Sequence, residues 1–246
     1  KMKTIRNTTE AEMILEFLKG EMNSERFNTH LNNVIKELHL NSDIIYNGNI
    51  HNTQENLQRL EIMQLYRGYP DRDLFNNFPI IDEWKYVELS PSDIKRVYYV
   101  NYDYWNELSN HTSSPLEAAK NIEKGIEIFD VSNEPIIKGV EYLKKNTFPP
   151  VILITCNEDK YLIIEGHSRM TIYAFNPKKL KGTNAYVGYC SKKEMEKYDS
   201  RMINDNDLLS NIEKIHTTKL GVDRIKKNIN INDDVVNYIK NLIEDK

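Results

Sequence analysis

Two short apolar runs, Val151-Ile152-Leu153-Ile154-Thr155 and Tyr161-Leu162-Ile163-Ile164, constrain the fold most tightly. Each is too short for a buried helix and has the length of a strand buried on both faces. The polar tetrapeptide Asn157-Glu158-Asp159-Lys160 between them reads as a turn, so the pair reads as a hairpin. Gly166 ends the second run. Met170, Ile172, Tyr173 and Phe175 then follow at helical spacing until Asn176-Pro177. A buried strand therefore runs through a glycine straight into a helix. The first N–H groups of such a helix lack internal partners and carry partial positive charge, which favours an anion.

The flanking segments sort by the same signals. The first ~80 residues read as helical. Thr9-Glu10-Ala11-Glu12 forms a capping box ahead of Met13, Ile14, Phe17 and Leu18. Ser24 caps a second helix carrying Phe27, Leu31, Val34, Ile35 and Leu38, and Asn52 starts a third that stops at Arg67-Gly68-Tyr69-Pro70. Phe75, Phe78, Pro79 and Ile80 form an apolar connector. Near Trp84 the pattern changes: Lys85 to Leu89 alternates like a strand, and Ser90-Pro91-Ser92-Asp93 opens a helix carrying Ile94, Val97, Tyr98, Trp105 and Leu108. Further helices are expected from Ser114-Pro115 and over Pro135 to Lys145, then a strand over Asn184 to Cys190 and a helix from Ser191 or Lys192. The expected organisation is a helical region over 1–83, a mixed domain over 84–203 and a helical segment over 204–246.

The 246 residues, 39% of them apolar, can bury a real core. A net charge of −4 argues against a general nucleic-acid binder. From Arg201 to Lys246, eight Lys/Arg are matched by eight Asp/Glu, so the tail offers no basic face by count. No run of ~18 apolar residues is present to span a membrane, and the first residues lack the apolar segment of a secretory signal. Cys156 and Cys190 are too few for a disulfide framework and lack zinc-ligand spacing, so reduced core thiols in a cytoplasmic protein are expected.

The candidate site is Glu165-Gly166-His167-Ser168-Arg169. Gly166 permits a sharp turn and close ligand approach. Arg169 can hold phosphate oxygens through its planar fork, and Ser168 can add a hydroxyl. Glu165 can hold Mg²⁺ or orient a nucleophile, and His167 can donate to a phosphate or shuttle a proton. Each has a structural alternative: Arg169 can pair with a core acid, His167 can be a satisfied half-buried ring, Glu165 can close the hairpin and Ser168 can start the helix. Tyr98, Tyr99, Tyr102, Tyr104 and Trp105 can stack on a base or simply pack in the core. Arg67-Gly68-Tyr69-Pro70 can add a second phosphate contact or merely end its helix.

On these residues the chain resembles the ParB/sulfiredoxin superfamily, in which a strand–turn–strand leads to Gly-x-x-Arg at a helix start. The resemblance runs from about Trp84 to Met202. It implies an α+β fold: a small mixed sheet with surrounding helices, flanked here by helical N- and C-terminal segments. Where sulfiredoxins carry the catalytic cysteine, this chain has His167, which disfavours sulfinic-acid repair. Chromosome-partition members have Gly-Glu-Arg-Arg and bind CTP. Members with an acid followed by Gly-His-His-Arg, such as the ADP-dependent free-serine kinases, match better, with Ser168 in place of the second histidine. The resemblance implies binding of ATP, ADP or another nucleotide with Mg²⁺. It implies phosphoryl transfer to an unknown acceptor, or nucleotide hydrolysis, with Glu165 and His167 catalytic, Gly166 to Arg169 on the phosphates and Glu165 on the metal. A non-catalytic, nucleotide-responsive or protein-interaction module, docking partners through the helical flanks, is the alternative. A nuclease or DNA-binding protein is a weaker one. The stretch from Ile215 to Asn228, followed by Asp233-Asp234-Val235-Val236, resembles the opening of a small bacterial domain family of unknown function.

Overall fold

The computed structural model describes residues 2–203, Val222, Lys226 and 234–244. Contacts divide the chain into two units, 1–202 and 203–246. In the second unit, Val235–Glu244 is a helix (α10), started by Asp234, whose Oδ1 accepts from the Val236 amide at 2.9 Å. Apart from Val222 and Lys226, the segment 204–233, which holds most of the expected tail resemblance, lies outside the described residues.

The first unit is built on a six-stranded mixed sheet with helices on both faces, an α+β fold. Its strands are β1 (Lys3–Thr8), β2 (Ile81–Glu88), β3 (Val97–Tyr98), β4 (Val151–Thr155), β5 (Tyr161–Glu165) and β6 (Asn184–Cys190), in spatial order β1-β2-β6-β4-β5-β3. The pairs β4–β6 and β3–β5 are parallel; the others are antiparallel. Every residue of β4 is buried, as its unbroken apolar run requires.

The two faces of the sheet carry separate cores. On one side Ile152, Ile154, Leu162 and Ile164 pack against α1 (Glu10–Met22), α2 (Asn28–Glu37), α3 (Asp43–Tyr46) and α4 (Thr53–Arg67). On the other, Val151, Leu153, Ile163 and Val187 meet α5 (Asp103–Leu108), α6 (Pro115–Glu123), α7 (Glu134–Leu143) and α8 (His167–Phe175). α9 (Lys192–Tyr198) places Met195 in the first core.

Local chemistry accounts for the helix ends. Thr9 caps α1 by accepting from the Glu12 amide. Asn52 caps α4 by accepting from Gln54 N and Glu55 N, and Gly68 closes it at φ +71°, where a side chain is disfavoured. Arg59 of α4 is fully buried, yet it donates to the carbonyls of Ile44 and Asn49 and pairs with Glu55, so its charge is compensated.

Three expectations are corrected. The first is an all-helical N-terminus: Lys3–Thr8 is an edge strand paired with β2, and the expected boundary at 83/84 falls inside β2, so 1–83 and 84–202 belong to one unit. The second is the helix opened at Ser90. The Ser90 N–H and hydroxyl do bond Asp93 Oδ2 (2.8 and 2.7 Å), but this start yields only a 3-10 turn over Pro91–Arg96. β-branched Val97 then enters the sheet beside Tyr161, and helix resumes at Asp103. The third is the second helix, which begins at Asn28; Ser24 contributes its carbonyl rather than a side-chain cap.

Candidate functional site

The β4–β5 hairpin delivers the Gly166 turn as the sequence predicts, with one feature that the sequence conceals. Ile152 stands opposite Glu165 while Leu153 stands opposite Ile163, so Ile164 is the extra residue of a β-bulge. A bulge interrupts the alternation of side chains. Ile164 therefore packs in the core beneath α1, and Glu165 lies on that same side, against Gly20 of α1. A Cβ at Gly20 would stand 3.2 Å from Glu165 Oε1 and 3.7 Å from an Arg169 terminal nitrogen.

Gly166 adopts φ +99°, and a Cβ there would stand 2.5 Å from Val151 Cγ1. Glycine is thus required twice, for its backbone angle and for space. The first backbone bond at the helix start is Met170 N to Gly166 O at 2.9 Å. Within the described residues, the amides of His167, Ser168 and Arg169 have no side-chain cap or backbone acceptor. Ser168 is exposed beside them.

Arg169 takes the structural alternative. One terminal nitrogen donates to the carbonyls of Pro149 (2.8 Å) and Pro150 (2.6 Å), and the other pairs with Glu165. The guanidinium braces the entry to β4 against the exit from β5 instead of presenting a fork to an anion. Burial lowers its pKa to about 10, opposed by the charges of Glu16, Tyr173 and Glu21, so it remains a cation at neutral pH.

His167 is partly exposed as a residue, but its Nε2 is shut from solvent and has no hydrogen-bond partner. Its ring lies nearly parallel to Trp105 (centroids 5.6 Å apart) and to Tyr99 (6.0 Å). Tyr99 and Trp105 themselves stack at 4.5 Å, so those two rings are committed to one another. Burial pushes the His167 pKa down to about 3, leaving a neutral imidazole at physiological pH. The Tyr99 hydroxyl and Thr171 Oγ1 lie 2.6 Å apart, and Thr171 donates to the His167 carbonyl at 2.8 Å, which ties the stack to the first turn of α8.

The helical layer over β5 contributes two glutamates, Glu16 and Glu21, that were not singled out in the sequence. Glu16 of α1 is partly buried, and burial raises its pKa against the pull of Arg169 and Lys19. Glu16 also lines a cleft of about 190 Å³ with Arg6, Lys19 and Tyr186. Glu21 is buried and accepts from the Tyr66 hydroxyl and from Arg67, whose Nε lies 3.2 Å away. The Arg67 guanidinium lies over the rings of Phe27 (4.5 Å) and Tyr66 (4.7 Å). The available signal was a glutamate, Glu21, on the buried stripe of α1, at a position where an amphipathic helix ordinarily carries an apolar group.

Among the described residues, no group of three or more His, Cys, Asp or Glu side chains is placed to hold a metal ion, and no helix is long and apolar enough to cross a membrane. The chain matches no protein-family model, no curated protein and no solved structure.

Proposed function

We propose that the protein binds a nucleotide, ATP or ADP with Mg²⁺, at the start of α8, and transfers or hydrolyses a phosphoryl group there. The observation that supports this is the run of three amides, at His167, Ser168 and Arg169, left without acceptors after the Gly166 turn. They sit where a helix start carries partial positive charge, with the Ser168 hydroxyl alongside. The amides and Ser168 take the phosphate, while Arg169 holds the turn in shape. The sequence of hairpin, glycine turn and helix also supports a ParB/sulfiredoxin-like reading of this part of the sheet.

Mg²⁺ usually keeps several waters and takes one or two carboxylates plus phosphate oxygens. A ligand-borne Mg²⁺ therefore needs no preformed carboxylate cluster. Glu165 would serve it only on parting from Arg169. Glu16, close enough to Arg169 to feel its charge, is the other carboxylate at hand. Catalysis in such a site rests on positioning and electrostatics.

A non-catalytic, nucleotide-responsive module is the second reading. It is favoured by the commitment of Arg169 and His167 to contacts inside the protein.

Thermal-shift and calorimetric titration with ATP, ADP and other nucleotides, with and without Mg²⁺, tests the proposal. Ser168→Asp places a carboxylate at the helix start, which suits the helix by ~0.3–1 kcal/mol but repels an incoming phosphate. Wild type should gain stability with a nucleotide and the variant should not. No gain with any nucleotide, or equal gains for both, overturns the reading. Product formation separates the enzyme from the switch.

A further inference from the structure

Away from the Gly166 turn, the sheet brings the chain's two cysteines together. β4 and β6 run parallel with Thr155 opposite Tyr189; Cys190 is the next and last residue of β6 and Cys156 the first residue beyond β4, close enough for each thiol to feel the other. Adjacent strands lie ~4.8 Å apart. That spacing is within the Cα separation of ~4.4–6.8 Å that a disulfide spans. The two side chains also share a face: Cys190 belongs to the core under α1–α4, and Cys156 packs against that same core. The Cys190 thiol donates to the Thr155 carbonyl at 3.6 Å, toward the strand that leads into Cys156. Both residues are thiols in this structure; Cys156 is partly exposed and Cys190 buried.

We propose that Cys156 and Cys190 form a reversible intramolecular disulfide that staples the ends of β4 and β6 when the protein meets a small disulfide oxidant. Exposure assigns the order of events. The Cys156 thiolate attacks one sulfur of glutathione disulfide, whose S–S bond breaks as one glutathione thiolate leaves. Cys190 then releases its proton to solvent and attacks Cys156 Sγ, expelling the second glutathione as a thiolate, and both expelled thiolates take up protons from solvent. Two protein thiols are oxidised and one glutathione disulfide is reduced to two thiols. The second step is the slow one. Burial together with neighbouring Cys156 holds the Cys190 pKa near 12, so little thiolate is present at neutral pH.

The staple lies at the far end of the hairpin from the candidate site. In the antiparallel β4–β5 pair, Ile152 meets Glu165, whereas Thr155 leads into the turn that returns at Tyr161. Its formation is therefore independent of the nucleotide reading.

The test is to incubate the full chain with glutathione disulfide, block remaining thiols with iodoacetamide and measure the intact mass and peptide map. Wild type should lose the mass of two hydrogens, take up no alkyl group and yield one linked peptide pair containing Cys156 and Cys190. Reductant should restore both thiols. Cys190→Ser should stop at a glutathione adduct on Cys156, whereas Cys156→Ser should leave Cys190 unoxidised. Because the wild-type map decides by itself, poor folding of a variant does not blur the answer. A lasting glutathione adduct on wild type, two alkylated cysteines or a disulfide between chains overturns the proposal.

Discussion

Gly20 of α1 lies directly against the Glu165 carboxylate, 3.2 Å from where its own Cβ would be. The helical layer and the turn at the end of β5 are fitted to each other at this point. Alanine is the better helix former by ~1 kcal/mol. That gain offsets the slight crowding, so Gly20→Ala should leave stability nearly unchanged. Gly20→Leu should cost ~1–3 kcal/mol by overpacking and push α1 off the Glu165–Arg169 pair. Urea unfolding of both variants checks the contrast, and equal effects would show that the approach is loose.

Arg169 has much to lose from truncation. Removing it leaves Glu165, only 17% exposed, without its cation, and two proline carbonyls without a donor. Breaking a buried pair from one side typically costs ~3–5 kcal/mol. Arg169→Ala should fall in that range and Glu165→Gln/Arg169→Met should recover part of the loss. A double-mutant cycle by chemical denaturation measures the coupling, and additive losses would mean the pair contributes nothing.

Gly166→Ala should destabilise by at least ~1–3 kcal/mol, because the residue must hold φ +99° and Val151 occupies the space a Cβ needs. Val151→Ala in the same chain should relieve the clash but not the backbone penalty. The two contributions can therefore be read separately from melting temperatures.

His167 makes stability depend on pH in a defined direction. Its folded pKa near 3 lies below the usual ~6.5, so between these values the unfolded chain binds the extra proton. This contribution is complete above pH 6.5 and is lost as pH falls toward 3, with a slope of up to ~1.4 kcal/mol per pH unit. His167→Asn should flatten the acid limb of a stability–pH curve by that amount. An unchanged slope would mean the ring already titrates freely in the fold.

Asn52 closes two amides at the start of α4 with one side-chain oxygen. Asn52→Ala should cost ~1 kcal/mol, and Asn52→Asp should restore most of it. Thermal melts of the two variants test the cap directly.

Local signals carried much of this fold. The strand Asn184–Cys190, the hairpin, the Gly68 helix stop and the glycine-led start of α8 all follow from neighbouring residues. What escaped depends on distant partners. β1 is exposed along most of its length, so Lys3 to Thr8 shows no apolar alternation and becomes a strand only by pairing with β2. Val97 and Tyr98 follow a genuine helix-start signal and are drawn into the sheet by Tyr161 and Leu162. At the site, the Gly166 turn was legible, but the assignment of Arg169 to Pro149, Pro150 and Glu165 was not. That assignment depends on a bulge at Ile164 and on how β4 begins.

The pairing of β1 with β2 has a mechanical consequence. The chain leaves the sheet after Thr8, builds α1 to α4 and rejoins the neighbouring strand at Ile81. A layer tethered at both ends to one sheet margin cannot swing aside on a single hinge like a flap. Any reagent reaching the Glu165–Arg169 pair from that side must pass through gaps between helices or wait for them to breathe.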